Sequence, residues 1–573
     1  MELWWKPGKV DVTKTRSAAR GQPLPTRKFA ISAIVLIWML VSLACTGGFI
    51  TTGELTQTAQ SPQEAVPTMT SFVLETAVLS NQQPVATETP TIPPAIGGGI
   101  SDPLPIVTVM GTADPAAETP VPEQPTPTTD TTKNPPILYY TQAGDTLQGL
   151  AARFNVDPAE IISPEYPIPE EGLFDPSVLL LIPRRLGDVV GDKPIIPDSE
   201  IVYSPSALDF DMQQFIQDAG GYLKTYQEWR VTGWHNGGQV IERVAIENSI
   251  NPRLLLAVLD TQSHWVSGQP ANLAQTDYPM GWLVPEKEKR TLYYQLSWAV
   301  QQLNIGYYGW RSGTVTELVF PNGEKVRLAP ELNAGSVSLM YLFSKLYDQP
   351  QWAGMIYGPD GVLARYENMF GSSWVRAQSV EPLFPATLTQ PPLELPYLPG
   401  RTWSLTGGPH SAWGPNGARA ALDFAPSTTV HGCYQSDEWV TAVSSGLVVR
   451  EDTGVIVLDL DGDGYEQTGW AILYLHVATK DRIRPGTWVN LNDTLGHPSC
   501  EGGSATGTHV HIARKYNGEW ILSDGPMPFV LSGWRSHADP QNYKGTMTKD
   551  DKTVYSSDVG SYESLITRPR TSP

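Results

Sequence analysis

The run Gly507-Thr508-His509-Val510-His511 places two imidazoles at i and i+2, and strand side chains at that spacing share one face. Such a pair is suited to metal ligation or to paired acid–base work. The 573-residue chain has nine histidines, and six of them (His410, His431, His476, His497, His509 and His511) fall between positions 410 and 511. His-x-His alone says little, so its meaning depends on the elements that position it.

Those elements read as short strands separated by glycine turns. Trp439 to Ala442, Gly446 to Arg450, Val455 to Leu460 and Trp470 to Leu475 alternate as an antiparallel sheet requires. Four polar segments fall in or beside them, in order. They are Gly407-Gly408-Pro409-His410, Ala421-Leu422-Asp423-Phe424, Tyr474-Leu475-His476 and the closing Gly507–His511 run. Over roughly residues 400–520 this pattern resembles the lysostaphin-type zinc endopeptidases. It is most similar to the staphylolytic protease branch, with its Gly-Gly-x-His and a widely spaced Leu-Asp-Phe. The resemblance implies that His410, Asp423 and His511 hold Zn²⁺ and leave a fourth position for water. It also implies that His476 and His509 lie just off the metal, where they assist hydrolysis of a peptide bond. His431 and His497 fit no motif position and read as loop or rim residues. The run Asp459-Leu460-Asp461-Gly462-Asp463-Gly464 begins like a calcium loop. Its twelfth position is Trp470 instead of a bidentate acid, so an acidic hairpin turn is the better reading.

Two modules precede this one. Residues 137–186 read as β-α-α-β, with Thr146 capping a helix from Leu147 to Phe154, a second helix from Pro158 to Ile162 and a strand from Val178 to Ile182. Gly144-Asp145-Thr146-Leu147, Ala151, Phe154, Val156, Ile161 and Leu181-Ile182-Pro183 resemble a LysM domain. The usual Asn is replaced by Ser163-Pro164. The resemblance implies binding of N-acetylglucosamine polymers, most often peptidoglycan. Residues 200–388 read as mainly helical, with Asn251-Pro252 opening an apolar helix. Together with Leu332-Asn333-Ala334-Gly335 they resemble the lysozyme-like fold of lytic transglycosylases. The position of that family's catalytic acid reads Gln262-Ser263, and an amide cannot protonate a leaving glycosidic oxygen. Asp260 lies two positions earlier and would point elsewhere on the helix.

A net charge of −20 disfavours nucleic acid as a partner, and the sequence carries no Walker-type phosphate loop. Residues 1–28 are basic, with seven Lys or Arg against two acids, and residues 29–50 are uncharged and long enough to span a bilayer. A retained transmembrane helix, a cleaved signal peptide and lipidation at Cys45 all remain open, and each exports the downstream modules. Residues 51–136 are a Pro/Thr-rich stalk unable to bury a core. Cys433 and Cys500 are either a disulfide or two separate thiols.

The expected architecture is therefore multidomain. A LysM module at 137–186, a mainly α lysozyme-like domain at 200–388, a mainly antiparallel β peptidase domain at 398–540 and a polar tail at 541–573 come after the stalk. The expected activity is zinc-dependent cleavage of peptidoglycan stems or cross-bridges, outside the cytoplasm and tethered to the membrane through 29–50. Two alternatives stand beside it: a non-catalytic wall-binding or regulatory protein, and a dual enzyme whose helical domain also cleaves glycan.

Overall fold

The computed structural model describes residues 135–169, 171–428 and 430–570. The basic segment 1–28, the span 29–50 with Cys45, and the stalk up to residue 134 lie outside them. Among the described residues no helix is long and apolar enough to cross a membrane.

In the first module Ile137–Tyr140 pairs antiparallel with Leu179–Ile182. The Leu147–Phe154 helix starts where the Thr146 side chain accepts the Gly149 N–H, and it stops at Asn155, which adopts a left-handed conformation. The expected second helix shrinks to a single 3₁₀ turn, Pro158–Glu160, because the segment is too short to propagate an α-helical ladder. A small core of Tyr139, Leu150, Phe154, Ile161, Leu180 and Ile182 holds the unit together.

Side-chain caps set the helices of the second module. Asn236 and Gln239 form a capping box before Gly237–Asn248. Asn251, with Pro252 in the first turn, opens Pro252–Ser263, and Asn333 opens Ala334–Ser344. Leu254 to Leu259 are all buried, which places Pro252–Ser263 at the centre of the domain. The 21-residue helix Leu292–Ser312 packs along Ala334–Ser344.

The third module is a nine-stranded antiparallel sheet. Its order is Trp488–Val489, Gly446–Asp452, Val455–Asp459, Trp470–Leu475, Val510–Tyr516, Ala421–Pro426, Thr402–His410 and Leu565–Thr567, with Glu519–Trp520 folding back on Val510–Tyr516. All five residues of Val455–Asp459 are buried. Period two divides the central strands between two cores. Ile456, Leu458, Ile472, Tyr474 and Ile512 join the core of the β module itself. Val455, Val457, Ala471, Leu473 and Ala513 join the core of the helical unit instead.

The boundary expected near residue 540 needs correction, because the stretch from 541 to 570 is part of the fold. Gly545–Lys549 and Lys552–Tyr555 extend a four-stranded sheet with Val530–Leu531 and Trp534–Ala538. Leu565–Thr567 closes the edge of the large sheet against Thr402–Ser404. Each strand anchors through one apolar residue, Met547, Val554 or Ile566, so its sequence reads as polar while its backbone is paired.

Candidate metal centre

His410 closes the strand Thr402–His410, and Asp423 lies in the neighbouring strand Ala421–Pro426. Asp423 is register partner to Gly407 on one side and to His511 on the other. The sheet thus brings together residues separated by about ninety positions. Gly407 explains part of the motif: a Cβ there would lie 2.4 Å from Asp423 Oδ2. At Gly408 a Cβ would lie 2.7 Å from the backbone nitrogen of Gly545. The Gly-Gly pair therefore makes room for the carboxylate and for the C-terminal strands.

His410 Nε2 and His511 Nδ1 are 3.0 Å apart, and each lies 3.2 Å from Asp423 Oδ1. All three residues are buried. The outer nitrogens are already committed: His410 Nδ1–H donates to the Gly408 carbonyl at 2.8 Å and His511 Nε2–H to the Ala412 carbonyl at 3.0 Å. A carbonyl only accepts, so the two inner nitrogens present lone pairs to each other and to the carboxylate. Asp423 Oδ1 is correspondingly a buried oxygen with no hydrogen-bond donor. Three acceptors packed this closely fit a cation, and two imidazoles with one carboxylate fit zinc.

The protonation states agree. Burial lowers His511, which favours the neutral ring that ligates a metal.

His476 and His509 flank the group. Their ring centroids are 4.5 Å apart, and His509 Nε2 is 3.7 Å from Asp423 Oδ1. His509 Nδ1–H donates to the Gly507 carbonyl and His476 Nδ1–H to that of Glu501, leaving both Nε2 atoms as acceptors. Burial, with the His509 and His511 rings nearby, pushes His476 down to about 3. His476 sits at φ 67°, a left-handed conformation that a non-glycine residue adopts at a cost.

Tyr543 joins this group without any signal in the sequence. Its ring stacks on His410 with centroids 4.1 Å apart, and its carbonyl accepts the Gly408 N–H at 2.8 Å. It too has a left-handed φ, 68°. Burial and then the Asp423 carboxylate raise its phenol, so the hydroxyl keeps its proton. No motif marks Tyr543, because only the pairing of the C-terminal strands carries it to the site.

Cys433 and Cys500 form a disulfide. It ties the loop before Val440 to the segment that carries Glu501, Thr508 and His509, and the Thr508 N–H also donates to the Gly432 carbonyl. His431 is exposed on the first of these loops and is not one of the residues grouped with His410, Asp423 and His511. His497 stacks on Trp439 and bonds the Glu438 carbonyl, a packing role. Asp459, Asp461 and Asp463 bring carboxylates near one another in the connection between two strands, where they accept backbone N–H groups of the same loop.

Comparison with known proteins covers both large modules. Residues 194–383 match a family model described as the LasA N-terminal domain. This is the helical stretch whose sequence resembles a lysozyme-like domain. Protease LasA of Pseudomonas aeruginosa is 26% identical over 336 residues, spanning 56% of this chain and 75% of that protein. The β-lytic metalloendopeptidase of Achromobacter lyticus is 28% identical over 159 residues, 26% of this chain and 39% of the relative. The chain is thus similar to protease LasA and to the β-lytic metalloendopeptidases. Among solved structures, the deep-sea M23 metalloprotease pseudoalterin aligns with 30% of this chain and 96% of its own at 24% identity, with a TM-score of 0.25.

Proposed function

We propose that this protein is a zinc endopeptidase that hydrolyses the peptide stems or cross-bridges of peptidoglycan, outside the cytoplasmic membrane. The observation that carries the reading is the convergence of His410 Nε2, His511 Nδ1 and Asp423 Oδ1 at 3.0–3.2 Å with no hydrogen between them. Zinc bound by these three residues supplies Lewis acidity, which polarises an amide carbonyl and makes water more acidic.

The chain's own groups then divide the work. His509 Nε2, the free acceptor nearest Asp423, takes the proton of the attacking water. His476, neutral and committed at Nδ1, accepts a hydrogen bond that orients that water or the substrate N–H. Neither ring has an N–H pointing inward, so the donor available to a developing oxyanion is the Tyr543 hydroxyl. On this reading His476 and His509 assist through the water and its proton, and Tyr543 serves the oxyanion.

The exported location is supported by the disulfide, which belongs to an oxidising compartment, and by the basic and apolar N-terminal sequence. The module at 137–186 would hold the glycan polymer and raise the local substrate concentration. A glycan-cleaving role for Asp260 is disfavoured by its surroundings. It is fully buried and accepts hydrogen bonds from Val266, Ser267 N and Ser267 Oγ, with Arg365 at 3.5 Å. Gln262 accepts the Tyr347 hydroxyl at 2.6 Å and has no acid to offer.

The test is metal content together with muropeptide release from purified sacculi. The unmodified protein should carry about one zinc and release peptide fragments, and His511→Ala should lose both. Release that survives chelation, or that produces new glycan ends in His511→Ala, would sink the reading.

A further inference from the structure

A cavity of about 970 Å³ opens where the three modules meet, lined by residues of all three rather than by the metal ligands. Leu147 and Gln148 come from the first module, Asn304 and Val315 from the helical unit, Arg419 and Trp520 from the β unit. Its volume lies within the range of ligand sites. Arg311 ties the walls together: it donates to the Ala143 carbonyl and pairs with Asp198 at 2.9 Å and Glu519 at 3.1 Å.

The lining is electrically settled. Glu519 is matched by Arg311, and Glu171 by Arg535 at 3.0 Å. Arg419 is occupied by the carbonyls of Pro409, Asp539 and Gln541, and Asp524 accepts the N–H groups of Gly525 and Ala538. Nothing there asks for a charged ligand.

One group is left wanting. Asn304 faces the cavity, is only 4% exposed, and no group among the described residues hydrogen-bonds its side-chain amide. It offers an NH₂ to a carbonyl and an oxygen to an N–H or hydroxyl. Leu147, Val315 and Trp520 add apolar surface to a lining whose charged groups are already paired.

We propose that this cavity binds an uncharged, secondary-amide-bearing stretch of the substrate polymer, with Asn304 reading the amide. The proposal rests on the peptidoglycan reading above, since that polymer carries the same group in its N-acetylated sugars and in its peptides. Arg419 also holds the Pro409 and Gln541 carbonyls, next to His410 and Tyr543, so the ligand would lie beside the segments that carry the site.

Calorimetric titration of the metal-free full-length protein tests it, using N-acetylglucosamine tetrasaccharide, its deacetylated counterpart and an uncharged blocked pentapeptide. At least one amide-bearing probe should bind, and which one identifies the source. The deacetylated sugar should not bind. Asn304→Leu should weaken binding by at least about tenfold. Gln148→Trp, at the exposed rim where folding is not at risk, should block it as well. No binding by either amide probe, or equal binding by both variants, overturns the proposal. Because the protein is metal-free, that failure leaves zinc-dependent hydrolysis standing. Conversely, a normal titration from a protein that releases no muropeptides would count against the peptidase reading alone.

Discussion

Residue identity does most to define the chemistry, and the decisive detail is which nitrogen of each histidine is already in use. Four carbonyls, those of Gly408, Ala412, Gly507 and Glu501, take the outer N–H groups of His410, His511, His509 and His476. That arrangement leaves four inward lone pairs, and the donor proposed for the oxyanion is the hydroxyl of Tyr543, whose ring stacks on His410. Tyr543→Phe should therefore keep its zinc while kcat falls by about 10²-fold, the usual loss when an oxyanion donor is removed. Metal analysis beside steady-state kinetics checks this, and an unchanged kcat would return Tyr543 to a packing role. His410, Asp423 and His511, which the sheet brings together, were legible in the sequence because their types and order form a pattern. Tyr543 was not, because a lone tyrosine in a polar segment has no pattern to join.

At the level of elements, the strands act as rulers. Asp423 and His511 are paired across one ladder, and His410 ends the next strand, so a one-residue slip would turn a ligand to the other face. Gly407→Ala tests the close approach of that strand to the carboxylate. Its Cβ has nowhere to go except into Asp423, so zinc affinity should drop by about 10–100-fold while the far-ultraviolet signature of the fold persists. Competition with a chelator measures it, and unchanged affinity would mean that the carboxylate is not the ligand. Helix starts at Asn251-Pro252 and Asn333, and the strand Trp470–Leu475, were readable because caps and alternation are local. The expected helix from Pro158 to Ile162 was not, since a five-residue stretch that opens on a proline does not tell a 3₁₀ turn from an α-helix.

Across the whole molecule, the peptidase sheet lies between two cores, its own and that of the helical unit. On the side facing the helical unit Glu466 is buried between Arg450 and Lys515, with Lys515 Nζ at 2.7 Å. Burial opposes its ionisation, but the two cations hold its carboxyl down to about 2. Burial keeps Lys515 below its ordinary value even so, which leaves Arg450 as the firmer partner. The depressed carboxyl gives stability that is complete above the unfolded-state value near 4.3 and is lost as pH falls through about 2. The intact chain should lose about 3 kcal/mol over that window from this group alone. Glu466→Gln should be destabilised at neutral pH, and its deficit should shrink as the pH drops. Denaturant unfolding at several pH values reads both, and a deficit independent of pH would rule the linkage out.

The sequence by itself carried the order of helical and β-rich stretches, the amide at Gln262 where the resemblance expects an acid, and the expectation that His410, Asp423, His476, His509 and His511 gather in one place. These come from local composition, spacing and order, which a linear chain carries openly. Only the tertiary structure decided that Cys433 and Cys500 are bridged, that the stretch after residue 540 completes the sheet, and that Tyr543 covers His410. It also decided that both faces of the central strands are buried. Each of these depends on contacts across long loops, whose closure is rewarded only by packing that no local stretch encodes.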